Sequence, residues 1–212
     1  RYQPGRISGF TFGLRSSTEP VSGIALEWGI ANATDQYVFK IYAGQLSIVR
    51  RSTVPLSAAV LARNGLDPNE ISSVQINGTT YNTVQPEIPS GDPFDVKDDQ
   101  GPLRDSVDTV NRALNFYTLE IPRDKFNGDP LNGNGPSGYT IRPEKVTMWK
   151  IEFGWYGAIG ARFYAYIPSG AGEARWVVVH TLVIENQLKQ PCLQDSYFRF
   201  KYALDVFNTA NL

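Results

Sequence analysis

The stretch that decides the fold is Lys145–Tyr156, which has the sequence KVTMWKIEFGWY. Its large apolar residues fall at every second position. One face carries Trp149, Ile151, Phe153 and Trp155, and the other carries Lys150, Glu152 and Tyr156. Because successive side chains of a strand point to opposite faces, this period of two predicts a β-strand with one buried face.

Three more segments follow toward the C-terminus at the spacing of β-hairpins. After a turn at Gly157–Gly160, one face carries Phe163, Ala165 and Ile167 and the other carries Arg162, Tyr164 and Tyr166. A turn at Pro168–Gly172 leads to Arg175–Ile184, whose almost wholly apolar sequence predicts a central strand covered on both sides. The last segment is Tyr197–Phe207, whose common face carries Phe198, Phe200, Tyr202, Leu204 and Val206. An antiparallel sheet with such aromatic faces needs a second sheet over it, which predicts a β-sandwich.

The N-terminal part supplies further strands. Tyr37–Tyr42 and Leu46–Arg50 alternate on either side of Ala43-Gly44, which predicts a hairpin with a glycine-containing turn. Phe10–Leu14 and Ile24–Ile30 are expected to be shorter strands. These elements add to the same sandwich.

The middle of the chain, residues 55–114, has a different composition. Its expected elements are a short helix at Pro55–Arg63 ended by Asn64-Gly65, a hairpin of Ile71–Ile76 and Thr79–Val84 around Asn77-Gly78, a loop at Gln85–Pro102 and a short amphipathic helix at Leu103–Leu114. We expect residues 1–212 to form one all-β domain, an antiparallel sandwich of jelly-roll or concanavalin-like type, with residues 55–114 inserted into it.

Composition narrows the class of protein. Of the 212 residues, 42% are hydrophobic, 12% aromatic and only 19% charged, which favours sheets over helices. The net charge of −1 gives no basic footprint for nucleic acid, and no apolar run is long enough to span a bilayer. The single cysteine, Cys192, fits assembly in a reducing cytoplasm. Because the chain opens at Arg1 without a methionine, we expect it to be a piece of a longer polypeptide.

His180, the only histidine, is the first candidate for chemistry. Alternation places it on one strand face with Trp176, Val178, Leu182 and Ile184. A catalytic triad needs a serine in a nucleophile elbow, and a zinc site needs further histidine or cysteine ligands, and the sequence offers neither. We therefore expect a core or near-core imidazole with one hydrogen bond.

Carboxylates are the second candidates. Glu152 lacks an acidic companion at the spacing that glycosidases use, and cross-strand pairing with a lysine or with Arg162 explains it more simply. The acidic and amide-rich runs Asp92–Asp108 and Asp124–Asn134 do not match an EF-hand, and they are expected to be solvated turns. The sequence thus predicts no catalytic residue, no bound metal and no cofactor.

Aromatic residues raise a binding hypothesis, because an exposed row of rings is what a sugar-binding sheet needs. The alternation assigns Trp149 and Trp155 to the core. Tyr156, Tyr164 and Tyr166 point the other way, so they are the better candidates for a surface that contacts another subunit or a glycan.

The glycine-rich loop, Phe126–Gly138, has the sequence FNGDPLNGNGPSG. Its six glycine or proline residues impose a tight, irregular path, and its asparagine and aspartate residues can cap the freed backbone groups. An ordered surface loop usually holds a contact. We expect it to brace the Trp149–Arg162 hairpin or a neighbouring subunit. The candidate contact residues are Asn127, Asp129, Asn132, Asn134 and Ser137.

This loop resembles a W/F-N-G-D-x-L-D-G-x-G-P-S-G motif of virion structural proteins of tailed phages, notably cyanophages and other marine phages. In those proteins a W-x-D-F-E-W-L-G-x-G-x-V-R strand pair follows, matched here by Trp149–Arg162, and then a histidine that ends a hydrophobic strand, matched by His180. Arg1–Arg6, Trp28-Gly29 and the hairpin Tyr37–Ser52 are similar as well.

The chain departs from the family pattern at Asn132, where aspartate is usual, and at Tyr156, where leucine is usual; Pro55–Leu114 matches least. The resemblance implies a location in the virion and a structural role, and it brings no catalytic residue with it.

We therefore expect a non-enzymatic structural component of the tail, baseplate or fibre region, assembled in the host cytoplasm. It is expected to form a homo-oligomer and to contact other phage structural proteins. The alternative is a carbohydrate-binding domain that attaches the particle to a host-surface glycan, and a third hypothesis is a glycan-cleaving enzyme built on Glu152.

Overall fold

The computed structural model describes residues 7–16, 24–54, 56, 58–66, 73–76, 79–82, 117–154, 160–170, 172–184, 193 and 197–206. The strands of these ranges are β1 (Ser8–Leu14), β2 (Ile24–Ala31), β3 (Asp35–Tyr42), β4 (Gln45–Ser52), β5 (Ser73–Ile76), β6 (Thr79–Asn82), β7 (Tyr117–Pro122), β8 (Thr147–Phe153), β9 (Ala161–Gly170), β10 (Glu173–Leu182) and β11 (Arg199–Val206). A short helix, α1, spans Ala58–Arg63, and a 3-10 turn spans Arg123–Lys125. No helix among the described residues is long and apolar enough to cross a membrane.

Two antiparallel sheets pack face to face. The four-stranded sheet has the order β1-β8-β9-β10, and the five-stranded sheet has the order β11-β2-β3-β4-β7. Every pair of neighbouring strands is antiparallel. The predicted all-β antiparallel sandwich is therefore confirmed.

The core lies between the sheets, where the predicted alternation is also confirmed. Trp149, Ile151 and Phe153 of β8 are buried, as are Phe163, Ala165 and Ile167 of β9. The ring of Trp149 lies 4.5 Å from Phe39 and 5.2 Å from Trp28, centroid to centroid, across the two sheets. Each such large side chain contributes on the order of 1.5–3 kcal/mol by leaving water.

The β3–β4 hairpin follows from its turn residues. Ala43 and Gly44 both have positive φ, 48° and 74°. This is the signature of a type I′ turn, whose twist matches that of the flanking strands. The predicted hairpin is confirmed, with Phe39 paired opposite Ile48.

The predictions for the middle of the chain are confirmed in part. Helix α1 begins at Ala58 rather than at the predicted Pro55, and β5 and β6 form the predicted hairpin. Because β4 and β7 are hydrogen-bonded neighbours, the chain between them leaves the five-stranded sheet and returns to it. The Asn77-Gly78 turn, the Gln85–Pro102 loop and the Leu103–Leu114 helix lie outside the described residues. A single domain with an insertion remains a prediction.

The prediction that Arg175–Ile184 forms a central strand is wrong. β10 lies at the edge of the four-stranded sheet, and its first three residues are exposed. The turn before it is also shorter than Pro168–Gly172, because β9 extends to Gly170. An apolar run cannot distinguish a strand between two neighbours from an edge strand that a loop covers.

The expected burial of one face of Tyr197–Phe207 is likewise wrong for most of its length. Phe198 is buried, but Phe200, Tyr202 and Leu204 are 51%, 49% and 55% exposed. β11 is the outermost strand of the wider sheet, and the four-stranded sheet opposite it ends at β1. Phe200, Tyr202 and Leu204 therefore point toward the core side of their sheet, but the four-stranded sheet does not cover them fully.

Candidate functional site

The glycine-rich loop is organised around one buried carboxylate. Asp129 is 3% exposed. Its Oδ1 accepts a hydrogen bond from the Leu131 N–H at 2.9 Å, and its Oδ2 accepts one from the Ser137 N–H at 2.7 Å. Leu131 has a φ of +53° and a fully buried side chain, so its strained backbone is held by packing. The loop is an ordered element, and its Leu131 packs into the main core.

Asn127 fastens this loop to the edge of β10. Its Nδ2 donates to Thr181 O at 2.8 Å, and its Oδ1 accepts from Thr181 N–H at 2.8 Å. Two residues later, the N–H of Asp129 donates to Val178 O at 2.8 Å. The loop thus takes the place of a neighbouring strand along part of β10. The loop contacts β10, and its predicted bracing of the Trp149–Arg162 hairpin or of a neighbouring subunit remains a prediction.

A β-bulge in β10 allows the glycine-rich loop to pack against this strand. The register against β9 shifts between Val178 and His180, which leaves Val179 as the extra residue. A Cβ on Gly128 would lie 2.3 Å from Val178 O and 2.8 Å from Val179 O. Only glycine allows the loop backbone to approach the bulge this closely.

His180 lies beneath the same contact. It is fully buried, and its Nδ1 accepts a hydrogen bond from the Asn127 N–H at 3.2 Å. The proton of the neutral ring therefore sits on Nε2, which has no hydrogen-bond partner among the described residues. Burial lowers the pKa of His180 to about 4. The predicted core imidazole with one hydrogen bond is confirmed.

The bulge also changes the faces of β10. The predicted common face for Trp176, Val178 and His180 is wrong. Trp176 and Val178 pair with Tyr166 and Tyr164 and share their outer face, whereas His180 points inward with Leu182. One extra residue reverses the alternation beyond it.

The outer face of the four-stranded sheet therefore carries an aromatic cluster, formed by Tyr164, Tyr166 and Trp176. The rings of Tyr166 and Trp176 lie 5.1 Å apart with a tilt of 51°. Lys150 Nζ lies 4.2 Å from the Tyr164 ring centroid and 5.1 Å from that of Trp176. Tyr156, the third predicted surface tyrosine, lies outside the described residues.

Glu152 is part of the same face. Its Oε2 accepts a hydrogen bond from Tyr164 OH at 2.6 Å, and its Oε1 lies 3.1 Å from Lys150 Nζ. Partial burial alone would raise the pKa of Glu152, but Tyr164, Lys150 and Arg162 outweigh it and hold the pKa below its ordinary value. A general acid needs a raised pKa. The lysine that pairs with Glu152 lies on the same strand, and the residue directly opposite Glu152 on β9 is Arg162, so the predicted cross-strand pairing holds for Arg162 and not for a lysine.

The predicted loop residues are held by contacts within the chain. Asn127 and Asp129 bind the backbone as described, Asn132 Oδ1 accepts from the Asn134 N–H at 3.0 Å, and Ser137 Oγ accepts from the Tyr139 N–H at 3.1 Å. Within the described ranges, no group of three or more His, Cys, Asp or Glu residues could hold a metal ion. Cys192 and the Asp92–Asp108 run lie outside those ranges.

The two sides of the sandwich differ. On one side, the glycine-rich loop leads from β7 across to β10 and joins the edges of both sheets. On the other side, β1 and β11 face each other with their apolar residues only partly covered. We call this surface the open seam; it consists of Phe10, Phe12, Leu14, Phe200, Tyr202 and Leu204. The rings of Phe12 and Phe200 lie 5.1 Å apart across it.

The strand β11 is held to its sheet by polar contacts on the outer face, opposite the seam. Lys201 Nζ donates to Glu27 Oε2 at 2.9 Å and to Gln36 Oε1 at 2.9 Å, and Arg51 Nη1 donates to Glu27 Oε2 at 2.9 Å. Burial alone would raise the pKa of Glu27, but Arg51 and Lys201 hold it at about 2. The sequence alone does not predict this cluster, because its members come from four strands.

Compared with known proteins, the chain matches no protein-family model, no curated protein and no solved structure.

Proposed function

We propose that this chain is a structural component of a tailed bacteriophage particle, in its tail, baseplate or fibre region. It makes assembly contacts with other particle proteins and has no catalytic role. The similar loop, hairpin and histidine support the phage assignment. The open seam is the observation that carries the assembly role.

The seam supports this role because of its chemistry and its place. Three large apolar side chains of one strand, Phe200, Tyr202 and Leu204, are each about half exposed at successive same-face positions. Contiguous exposed apolar patches on soluble proteins mark surfaces that another molecule covers. The seam also follows the edges of both sheets, where a partner can gain backbone hydrogen bonds.

The test is whether the protein travels with particles. An antibody raised against residues 1–212 is used on a lysate that contains the protein and has been fractionated on a density gradient. We expect the protein in the particle fraction, with immunogold label at one defined position on each particle. A soluble host enzyme serves as the control and stays at the top of the gradient. Recovery of the protein only with that enzyme would contradict the proposal.

The second candidate function is attachment to a host-surface glycan, and the aromatic cluster favours it. The bulge in β10 brings Trp176 beside Tyr166, which is 38% exposed, and Glu152 and Lys150 supply polar groups next to the rings. However, the rings are tilted, and Lys150 lies over two of them. A flat platform for sugar stacking is therefore not preformed, which places this function second.

A glycan array separates the two candidates. If the cluster binds sugar, Tyr166→Ala and Trp176→Ala abolish array binding, whereas Tyr42→Ala on the outer face of the other sheet leaves it unchanged. Binding that survives both substitutions, or no binding at all, would remove this candidate. Glu152→Gln on the same array tests the polar contribution separately.

A further inference from the structure

The edge strands of this sandwich are not equally protected. β10 carries a bulge and is covered by the glycine-rich loop, and β7 ends in Pro122, which has no N–H to offer. Within the described ranges, β1 and β11 have neither device. The register of β11 with β2 is unbroken from Arg199 to Val206, and its core-side residues are about half exposed, whereas the apolar residues of β1 are partly buried. Monomeric proteins normally block such edges, because a bare strand recruits another strand.

We propose that β11 pairs with β11 of a second copy of this chain, in antiparallel orientation about a two-fold axis at Tyr202. The five-stranded sheets of the two copies then continue into one another. This inference rests on the proposed assembly role and names the partner at the seam. A two-fold axis makes the interface self-complementary, as in most homo-oligomers.

The sequence of β11 is compatible with antiparallel pairing to a second β11 in this register. Phe200 of one copy lies opposite Leu204 of the other, so apolar residues meet on the seam side of the sheet. In the same register, Arg199 lies opposite residue 205, which is an aspartate. Opposite charges at directly paired positions favour a register, and like charges disfavour it.

The state of Arg199 agrees with this pairing. It is exposed, and it forms no ion pair within the part of the chain that the structure describes. The neighbouring Lys201, by contrast, is already bound to Glu27. Arg199 is thus the cation of β11 that remains available for a second copy, while Lys201 fixes the strand in the position that pairing needs.

Sedimentation velocity of residues 1–212, over a concentration series, tests the pairing. We expect the unmodified chain to form a dimer. Arg199→Asp sets aspartates opposite each other, and Asp205→Arg sets arginines opposite each other. Each variant alone is expected to weaken dimerisation by roughly tenfold or more. Mixing the two variants places opposite charges at both paired positions, so the mixture is expected to recover the dimer.

The controls make the result decisive. Arg175→Asp, near the exposed start of the edge strand β10, leaves the dimer unchanged, and circular dichroism shows that each variant is folded. A chain that stays monomeric up to about 0.1 mM would overturn the inference. So would a dimer that neither charge reversal weakens, or a mixture that fails to recover. A monomer found in purified particles would overturn only this inference, whereas a dimer absent from particles would overturn only the particle role.

Discussion

The side-chain amide of Asn127 pairs with the backbone of Thr181 as a neighbouring strand would. Asn127 Nδ2 donates to the Thr181 carbonyl and Asn127 Oδ1 accepts from the Thr181 N–H, both at 2.8 Å. An amide is the side-chain group that can satisfy a backbone donor and a backbone acceptor together. This pair joins the loop that leaves β7 to the edge of β10. It explains why this side of the sandwich is closed, in contrast to the side that carries the open seam.

Replacing Asn127 by aspartate is expected to destabilise the fold by about 1–2 kcal/mol, because the carboxylate cannot donate to Thr181 O and repels it. Urea unfolding followed by tryptophan fluorescence measures the change. Asn134→Ala is the control, since that exposed side chain donates no hydrogen bond to any of the described residues. Equal effects of the two substitutions would show that the Asn127 amide contributes nothing specific.

Gly128→Ala is expected to destabilise the fold by roughly 2–4 kcal/mol, because its Cβ meets two carbonyl oxygens of the β10 bulge and the loop must move away. Hydrogen exchange should then report loss of protection at the Asp129 and Thr181 amides. Gly13→Ala on β1, where an added Cβ meets no atom within 4 Å, is the control. Protection that survives in Gly128→Ala would argue against the docked geometry.

His180 predicts a pH dependence of stability with a defined sign. The pKa is about 4 in the folded chain, below the ordinary 6.5, so the unfolded chain binds the proton more readily. The stabilisation is complete above pH 6.5 and is lost as the pH falls to about 4, with a total on the order of 3 kcal/mol. As the only histidine, it gives one imidazole resonance, and NMR should place its midpoint near 4.

His180→Gln removes the titrating group, so the slope of stability between pH 6.5 and 4 should become flatter in urea titrations. An imidazole midpoint at its ordinary value, or an unchanged slope in the variant, would disprove the buried neutral state.

Glu27 is expected to make stability depend on pH in a more acidic range. Its pKa of about 2 means that its stabilisation is complete above pH 4.5 and disappears as the pH falls to about 2. Glu27→Gln leaves Arg51 and Lys201 without their carboxylate and is expected to cost about 3 kcal/mol at pH 7, a difference that shrinks below pH 4.5. Glu120→Gln breaks the more exposed pair with Lys40 and should cost less than about 1 kcal/mol. A pH-independent effect of Glu27→Gln would contradict the ion-pair explanation.

The sandwich could be predicted because its strands follow a simple rule. Trp149, Ile151 and Phe153 fall at a period of two and all face the core, and Ala43-Gly44 supplies the turn between β3 and β4. These signals are local, so a single sequence contains them.

The errors lie where distant parts of the chain decide the outcome. One bulge residue, Val179, moved Trp176 to the outer face, and alternation gives no sign of a bulge. The exposure of Tyr202 depends on one sheet being wider than the other, which is a property of strand order. The partner of Asn127 lies 54 residues away along the chain. The loop sequence indicated an ordered contact but not which strand it would contact.

A reconstruction of the purified particle at side-chain detail tests most directly whether the open seam is an assembly surface, as we propose. We expect the domain in the map, with another chain covering Phe200, Tyr202 and Leu204. A map that contains the domain with these three side chains facing solvent would contradict it.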